Sequence, residues 1–159
     1  NSSIEIGKKQ KVLQVFTDTV LSTGWGQVLD VLGSVEILSE VDINNVNDLK
    51  TAKYSVISPF LIGATLASAG KAQLETIENF GLLVGRAFQL QDDYLGVFGN
   101  EKTLGKSVLS DMREGKNTLL IHKTRERAKA SDLKVIDGIW GRHVFPRGSF
   151  DFEVEDGWC

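Results

Sequence analysis

The sequence predicts an all-α protein, and two observations carry that prediction. The 159 residues include only two prolines, Pro59 and Pro146, so few positions interrupt a helical backbone. Most apolar residues recur at spacings of three and four, the period of one helix face, rather than at the alternate positions typical of strands. We expect one helical domain at residues 1–140, followed by a tail at 141–159 that loses the helical period and has no evident place in the fold.

The first half of the chain divides into helices at its glycines, cap-forming residues and proline. The first helix is expected to end at the cluster Gly24-Trp25-Gly26, with a short helix following at about 27–32. The polar run at 44–48 is typical of a helix start, and Pro59 is expected to end or kink that helix. Small residues at helical spacing in a further helix at 60–69 allow close packing.

The second half contains the longest predicted helix, from about Ala72 to Phe98, with Gly99 as its stop signal. The polar stretch 99–117 predicts a loop, interrupted by a turn of helix at 108–113. A final helix is expected over 118–130.

Composition excludes several classes of function. A formal net charge of −3 provides no broad cationic surface, so nucleic acid is not an expected partner. Cys159 is the single cysteine and therefore forms neither a disulfide within the chain nor a Cys/His zinc site of the usual type. No apolar run approaches the roughly 20 residues that span a bilayer. These features favour a cytoplasmic protein without a membrane-spanning segment.

Two adjacent acids, Asp92 and Asp93, interrupt the apolar pattern of the longest helix. Together with Gln89 and Gly96 they occupy positions i, i+3, i+4 and i+7, which lie on one helix face. Burying neighbouring carboxylates costs free energy unless a cation offsets their charge. Carboxylate oxygens suit Mg²⁺, which commonly binds through one or two carboxylates together with substrate phosphates.

Basic residues that could hold phosphate oxygens occur on both sides of this pair. Lys106, Arg113 and Lys116 lie in the polar stretch downstream, and Lys50-Thr51 lies upstream on a separate helix. Taken singly, each of these patterns is typical of an ordinary solvated surface.

In their order and spacing, however, five motifs together resemble the trans-isoprenyl diphosphate (polyprenyl) synthases over roughly residues 10–130. The motifs are Gly26-Gln27-x-x-Asp30, Lys50-Thr51-Ala52-Lys53-Tyr54, Phe88-Gln89-Leu90-Gln91-Asp92-Asp93, Gly105-Lys106 and Asp111-x-Arg113-Glu114-Gly115-Lys116-x-Thr118. The resemblance implies an isoprenoid-synthase-type helical bundle that is incomplete in this chain. It also implies a Mg²⁺-dependent prenyltransferase that condenses isopentenyl diphosphate with an allylic diphosphate, and a homodimer.

The resemblance also implies roles for individual residues. Lys50 and Lys106 would contact the allylic diphosphate as it leaves, with Lys116 as a further basic residue of the diphosphate site. Thr51 and Gln89 would lie near the developing carbocation, so that Lys50, Thr51, Gln89 and Lys106 form the catalytic set.

For the metal, the resemblance implies that Asp92 and Asp93 belong to the second aspartate-rich motif and hold Mg²⁺. That motif is often D-D-x-x-D, but its fifth position here is Gly96, which is expected to weaken the metal site.

A larger departure from the family concerns the first aspartate-rich motif, which normally precedes the Lys-Thr motif. Only 49 residues precede Lys50, and none of them contains paired aspartates. We therefore expect a fragment that is catalytically inactive alone, and the sequence does not indicate a product length. The alternatives are a non-catalytic partner of a complete synthase and the product of a truncated gene remnant.

Overall fold

The computed structural model describes residues 4–33, 37–100, 102, 105 and 110–141. Its helices are α1 (Ile6–Gly33), α2 (Glu40–Asn47), a π-helix (Asp48–Ile57), α3 (Ser58–Leu66), α4 (Lys71–Phe98), α5 (Ser110–Glu114), α6 (Leu119–Arg127) and α7 (Ala130–Ile139). The described ranges contain no strand, which confirms the all-α prediction.

Helix α1 does not end at the glycine cluster, as the sequence predicted, but continues through it to Gly33. The structure gives Gly26 a different purpose, because α1 passes very close to the π-helix at this residue. A Cβ atom added to Gly26 would lie 2.7 Å from the backbone nitrogen of Lys50. Gly26 is therefore a site of close helix approach and not a helix stop.

Residues 40–66 form one continuous helical path whose centre is the π-helix. The path begins at Glu40, earlier than the predicted start at 44–48, because Ser39 caps it by accepting a hydrogen bond from the Asp42 amide at 3.2 Å. Pro59 does not end the path, since it lies in the first turn of α3. A π-helical segment is rare and is frequently found at functional sites.

Helix α4 has almost the predicted bounds and packs along the π-helix. Two glycines permit this contact: a Cβ at Gly85 would overlap the Cα of Ala52, and one at Gly81 would lie 2.6 Å from Cγ1 of Ile57. Ala52 and Ile57 are buried by this packing. The close approach sets the face of α4 that carries Gln89 against the π-helix.

The C-terminal part of the described chain departs from the prediction of one helix over 118–130. Helix α6 ends at Arg127, and α7 follows at Ala130 as a separate helix that the sequence did not predict. Trp140, just after α7, is buried, and its indole N–H donates a 3.0 Å hydrogen bond to the carbonyl oxygen of Lys116. Apart from Gly141, the predicted tail lies outside the described residues.

Two helices keep large apolar side chains on exposed faces. More than half of each of the following side chains is exposed: Phe16, Leu21 and Trp25 on α1, and Phe80, Leu83 and Phe88 on α4. Such faces are typical of surfaces that pack against further polypeptide. Among the described residues, no helix combines the length and the apolarity needed to cross a membrane.

Candidate metal and diphosphate site

A cavity of about 120 Å³ lies where the C-terminal half of α4 meets the start of the π-helix, the end of α1 and the α5–α6 segment. Its lining residues are all polar or charged: Asp30, Asn47, Lys50, Gln89, Asp92, Asp93, Asp111, Lys116, Asn117 and Thr118. The structure thus brings together, at one cavity, residues from motifs that are as many as 88 positions apart in the sequence.

A chain of hydrogen bonds crosses from the π-helix to α4. Thr51 Oγ1 donates to Gln89 Oε1 at 2.5 Å, and Gln89 Nε2 donates to Asp93 Oδ1 at 2.8 Å. Thr51 and Asp93 are both buried, so water does not compete freely for these partners. The amide of Gln89 is therefore held in one orientation between the two.

Asp93 is only 4% exposed, and its environment disfavours ionisation. Burial raises its pKa to about 6, the hydrogen bond from Gln89 opposes this shift, and the charges of Asp111 and Asp92 add to it. A divalent cation bound near these carboxylates would reverse that balance by favouring their charged forms.

Lys50, on the π-helix, also lines the cavity. Its ammonium nitrogen is 2.6 Å from Asp30 Oδ2 near the end of α1. Nearby, Arg86 of α4 forms a two-pronged ion pair with Asp48, with Nε and Nη2 at 2.7 and 2.6 Å from the two carboxylate oxygens. Such paired bonds fix both distance and angle between α4 and the π-helix.

Lys116 closes the cavity from the α5–α6 side. Its ammonium nitrogen lies 2.7 Å from Oδ1 of Asp111, a residue that is 5% exposed, and 3.2 Å from Oε2 of Glu114. Burial lowers the pKa of Lys116, but the hydrogen bond and charge of Asp111 outweigh it and raise the pKa overall. Lys116 is therefore a fully charged ammonium group at neutral pH.

Of the residues named from the sequence, Lys50, Gln89, Asp92, Asp93 and Lys116 line the cavity. Thr51 contacts it through Gln89. Lys106 lies outside the described residues.

Asp30, Asp111 and Trp140 were given no role by the sequence reasoning. Asp30 and Asp111 stand within the quoted motifs, so the motifs contained a signal for them. Trp140 positions the Lys116 backbone from a distant stretch of chain, and the sequence contained no signal for this contact.

A second cluster, formed by Glu40, His122 and Glu126, has donor atoms within 4.8 Å of one another. The ammonium group of Lys123 already pairs with both carboxylates, and His122 Nε2 lies 3.4 Å from Glu126 Oε1. This arrangement joins α2 to α6 as an ion-pair cluster.

The lining of the main cavity has the donor set of a divalent-cation site. Asp92 and Asp93 of α4 offer the hard oxygen ligands that Mg²⁺ prefers, and Lys50 and Lys116 line the same small polar space. The cavity thus combines carboxylates from α1, α4 and α5 with the ammonium groups of Lys50 and Lys116, within an all-helical fold. The polyprenyl synthetase family matches residues 2–147, so the chain belongs to that family.

Individual relatives agree with the family assignment. The chain is 34% identical over 128 residues to a geranylgeranyl diphosphate synthase of Sulfolobus acidocaldarius, covering 79% of this chain and 38% of that protein. It is 34% identical over 134 residues to a short chain isoprenyl diphosphate synthase of Methanothermobacter thermautotrophicus, covering 83% of this chain and 41% of that protein.

Solved structures show the same fold. A geranylgeranyl pyrophosphate synthase from Corynebacterium glutamicum, complexed with isoprenyl diphosphate and magnesium, superposes with a TM-score of 0.80 at 27% identity. The superposition covers 91% of this chain and 42% of that one. The chain therefore spans about two fifths of the length of the relatives it matches.

Proposed function

We propose that this chain supplies the metal and allylic-diphosphate side of a trans-isoprenyl diphosphate synthase active site. The reaction is the condensation of isopentenyl diphosphate with an allylic diphosphate by ionisation, carbon–carbon bond formation and loss of a proton. The observation that carries the proposal is the convergence of Lys50, Gln89, Asp92, Asp93 and Lys116 on one cavity of about 120 Å³.

The carboxylates of Asp92 and Asp93 would hold Mg²⁺, which when bound neutralises the diphosphate charge that grows as the leaving group departs. Lys50 and Lys116 face that charge from two other walls and lower its energy electrostatically. Lys106 has the same proposed role, supported by its motif alone.

Thr51 and Gln89 have the opposite electrostatic task in this proposal. The hydroxyl proton of Thr51 is committed to Gln89, so the remaining lone pairs of Thr51 Oγ1 can face positive charge. A fixed dipole of this kind stabilises an allylic cation without reorganising during the reaction.

Catalysis by this proposal needs additional synthase sequence and a homodimer of the completed fold. The chain spans about two fifths of its relatives, and α1 and α4 present apolar faces suited to packing against further helices. The same faces would suit a non-catalytic partner of a complete synthase, which is the second candidate function.

Titration calorimetry of the chain with inorganic pyrophosphate, with and without Mg²⁺, tests the central proposal. We expect Mg²⁺-dependent binding that Asp92→Ala abolishes and Glu78→Ala, an exposed change on the same helix, leaves intact. Equal binding by both variants would contradict the assignment. A prenyl-transfer assay with labelled isopentenyl diphosphate, in which the chain is combined with further synthase sequence, separates the active-site role from the partner role. Only the active-site role requires turnover to depend on Asp92.

A further inference from the structure

We propose that Asp111 supplies the third carboxylate of this metal site, in the position that Gly96 leaves open on α4. This inference rests on the proposed function, since it assigns one more residue to the same site. The Asp111 carboxylate reaches the site from α5, whereas Asp92 and Asp93 lie on α4.

The position of Gly96 explains why a carboxylate belongs there. It follows Asp92 by four residues and Asp93 by three, so a side chain at 96 would lie on the same helix face one turn later. Glycine has no side chain to place there. On this face, α4 therefore provides only the carboxylates of Asp92 and Asp93.

Asp111 fills the space. A Cβ atom added to Gly96 would lie 2.8 Å from Asp111 Oδ2, so this oxygen occupies space that a side chain at position 96 would need. The other oxygen, Oδ1, accepts the hydrogen bond from Lys116 at 2.7 Å. Glycine at 96 is thus the residue that allows the carboxylate to enter.

The surroundings of Asp111 are typical of a metal-coordinating carboxylate and not of a solvated surface acid. Asp111 and Asp93 are 5% and 4% exposed, and both line the cavity. Asp93 and Asp111 bring two buried carboxylates into one small cavity, and Lys116 pairs with Asp111. A divalent cation coordinated from both α4 and α5 would complete the neutralisation.

Binding of Mn²⁺ to the full chain in the presence of inorganic pyrophosphate, measured by equilibrium dialysis against a protein-free chamber that contains the same pyrophosphate, tests the inference. We expect Asp111→Asn to weaken Mn²⁺ binding by about tenfold or more. Glu114→Gln is the matched control, because it removes one charge from the same helix and one partner of Lys116. Circular dichroism verifies that each variant keeps its helix content.

A relocated carboxylate provides the sharper test. Gly96→Asp alone should also weaken Mn²⁺ binding, because the new side chain collides with Asp111. Combined with Asp111→Ala, it should restore affinity to within about threefold of the unsubstituted chain, a fraction of the loss expected from a missing carboxylate. Thermal unfolding of the single and double variants distinguishes a recovery of metal binding from a recovery of the fold.

The outcomes separate this inference from the proposed function. If Asp92→Ala abolishes Mn²⁺ binding but Asp111→Asn matches Glu114→Gln, the proposed function stands and the role of Asp111 is wrong. If the double variant fails to recover, the replacement of position 96 by Asp111 is likewise wrong. If the unsubstituted chain does not bind Mn²⁺ with pyrophosphate, both proposals fail.

Discussion

Thr51 on the π-helix donates a 2.5 Å hydrogen bond to Gln89 on α4, across 38 residues of sequence. The bond is partly buried, with Thr51 itself 7% exposed, and it orients an amide that in turn donates to Asp93. The π-helical turn around Thr51 and the contacts of Gly81 and Gly85, which precede Gln89 on α4, bring the two side chains this close. The orientation of the Gln89 amide therefore depends on the packing of this helix pair.

Thr51→Val keeps the side-chain shape but removes the hydroxyl donor. We expect a loss of about 1–3 kcal/mol in the free energy of unfolding, because Gln89 Oε1 loses its buried partner. Urea unfolding followed by circular dichroism measures it. Thr76→Val is the control, since the exposed hydroxyl of Thr76 bonds only to its own helix, at the Ala72 carbonyl. Equal effects of the two substitutions would refute this account.

Gly85→Ala tests the close contact between α4 and the π-helix. The added methyl group would collide with Ala52, so we expect a loss of about 1–3 kcal/mol in unfolding free energy despite the better helix propensity of alanine. Gly63→Ala is the matched control, because no atom lies within 4 Å of the added Cβ. That variant should gain up to about 1 kcal/mol. The prediction fails if Gly85→Ala is equally stabilising.

The raised pKa of Asp93 leads us to expect that the stability of the fold depends on pH. Its pKa rises from an ordinary 3.8 to about 6 on folding, so the folded state binds the proton more tightly. The tighter binding of this proton stabilises the folded state. The stabilisation is fully present below pH 3.8 and is lost as the pH rises through 6. A shift of about two pKa units corresponds to roughly 3 kcal/mol.

Asp93→Asn should therefore unfold at a higher temperature than the unsubstituted chain at pH 8, when both are measured without divalent cations. Relative to their difference at pH 3.5, the advantage of the variant should grow between pH 4 and 6 and then remain constant. Thermal unfolding across this pH range provides the measurement. A difference that does not change with pH would show that Asp93 ionises at its ordinary pKa.

Trp140→Phe removes the N–H group that binds the Lys116 carbonyl. We expect faster hydrogen exchange at the amides of Lys116 and Thr118, because both belong to the loop that this bond holds. Exchange in the middle of α4 should be unchanged. Trp25→Phe, on an exposed face of α1, should leave the loop amides as they are. Unchanged exchange at the loop in Trp140→Phe would contradict the positioning role.

The sequence predicted best where local signals act alone. The bounds of α4 follow from a long apolar period and from Gly99, and the observed helix ends at Phe98 as predicted. The prediction at Gly24–Gly26 was wrong because a glycine in the sequence has two possible meanings. It can mark the end of a helix, or it can allow a neighbouring helix to come close. Only the presence of Lys50 beside Gly26 distinguishes the two cases.

The sequence by itself determined the fold class, the family, and the helix face shared by Gln89, Asp92 and Asp93. These properties depend on residue type and on the period of a single helix, which are local. The tertiary structure alone decided that Thr51 meets Gln89, and that a carboxylate from α5 stands over Gly96. Helical periodicity defines faces but not which faces meet, because that choice depends on the packing of the whole chain.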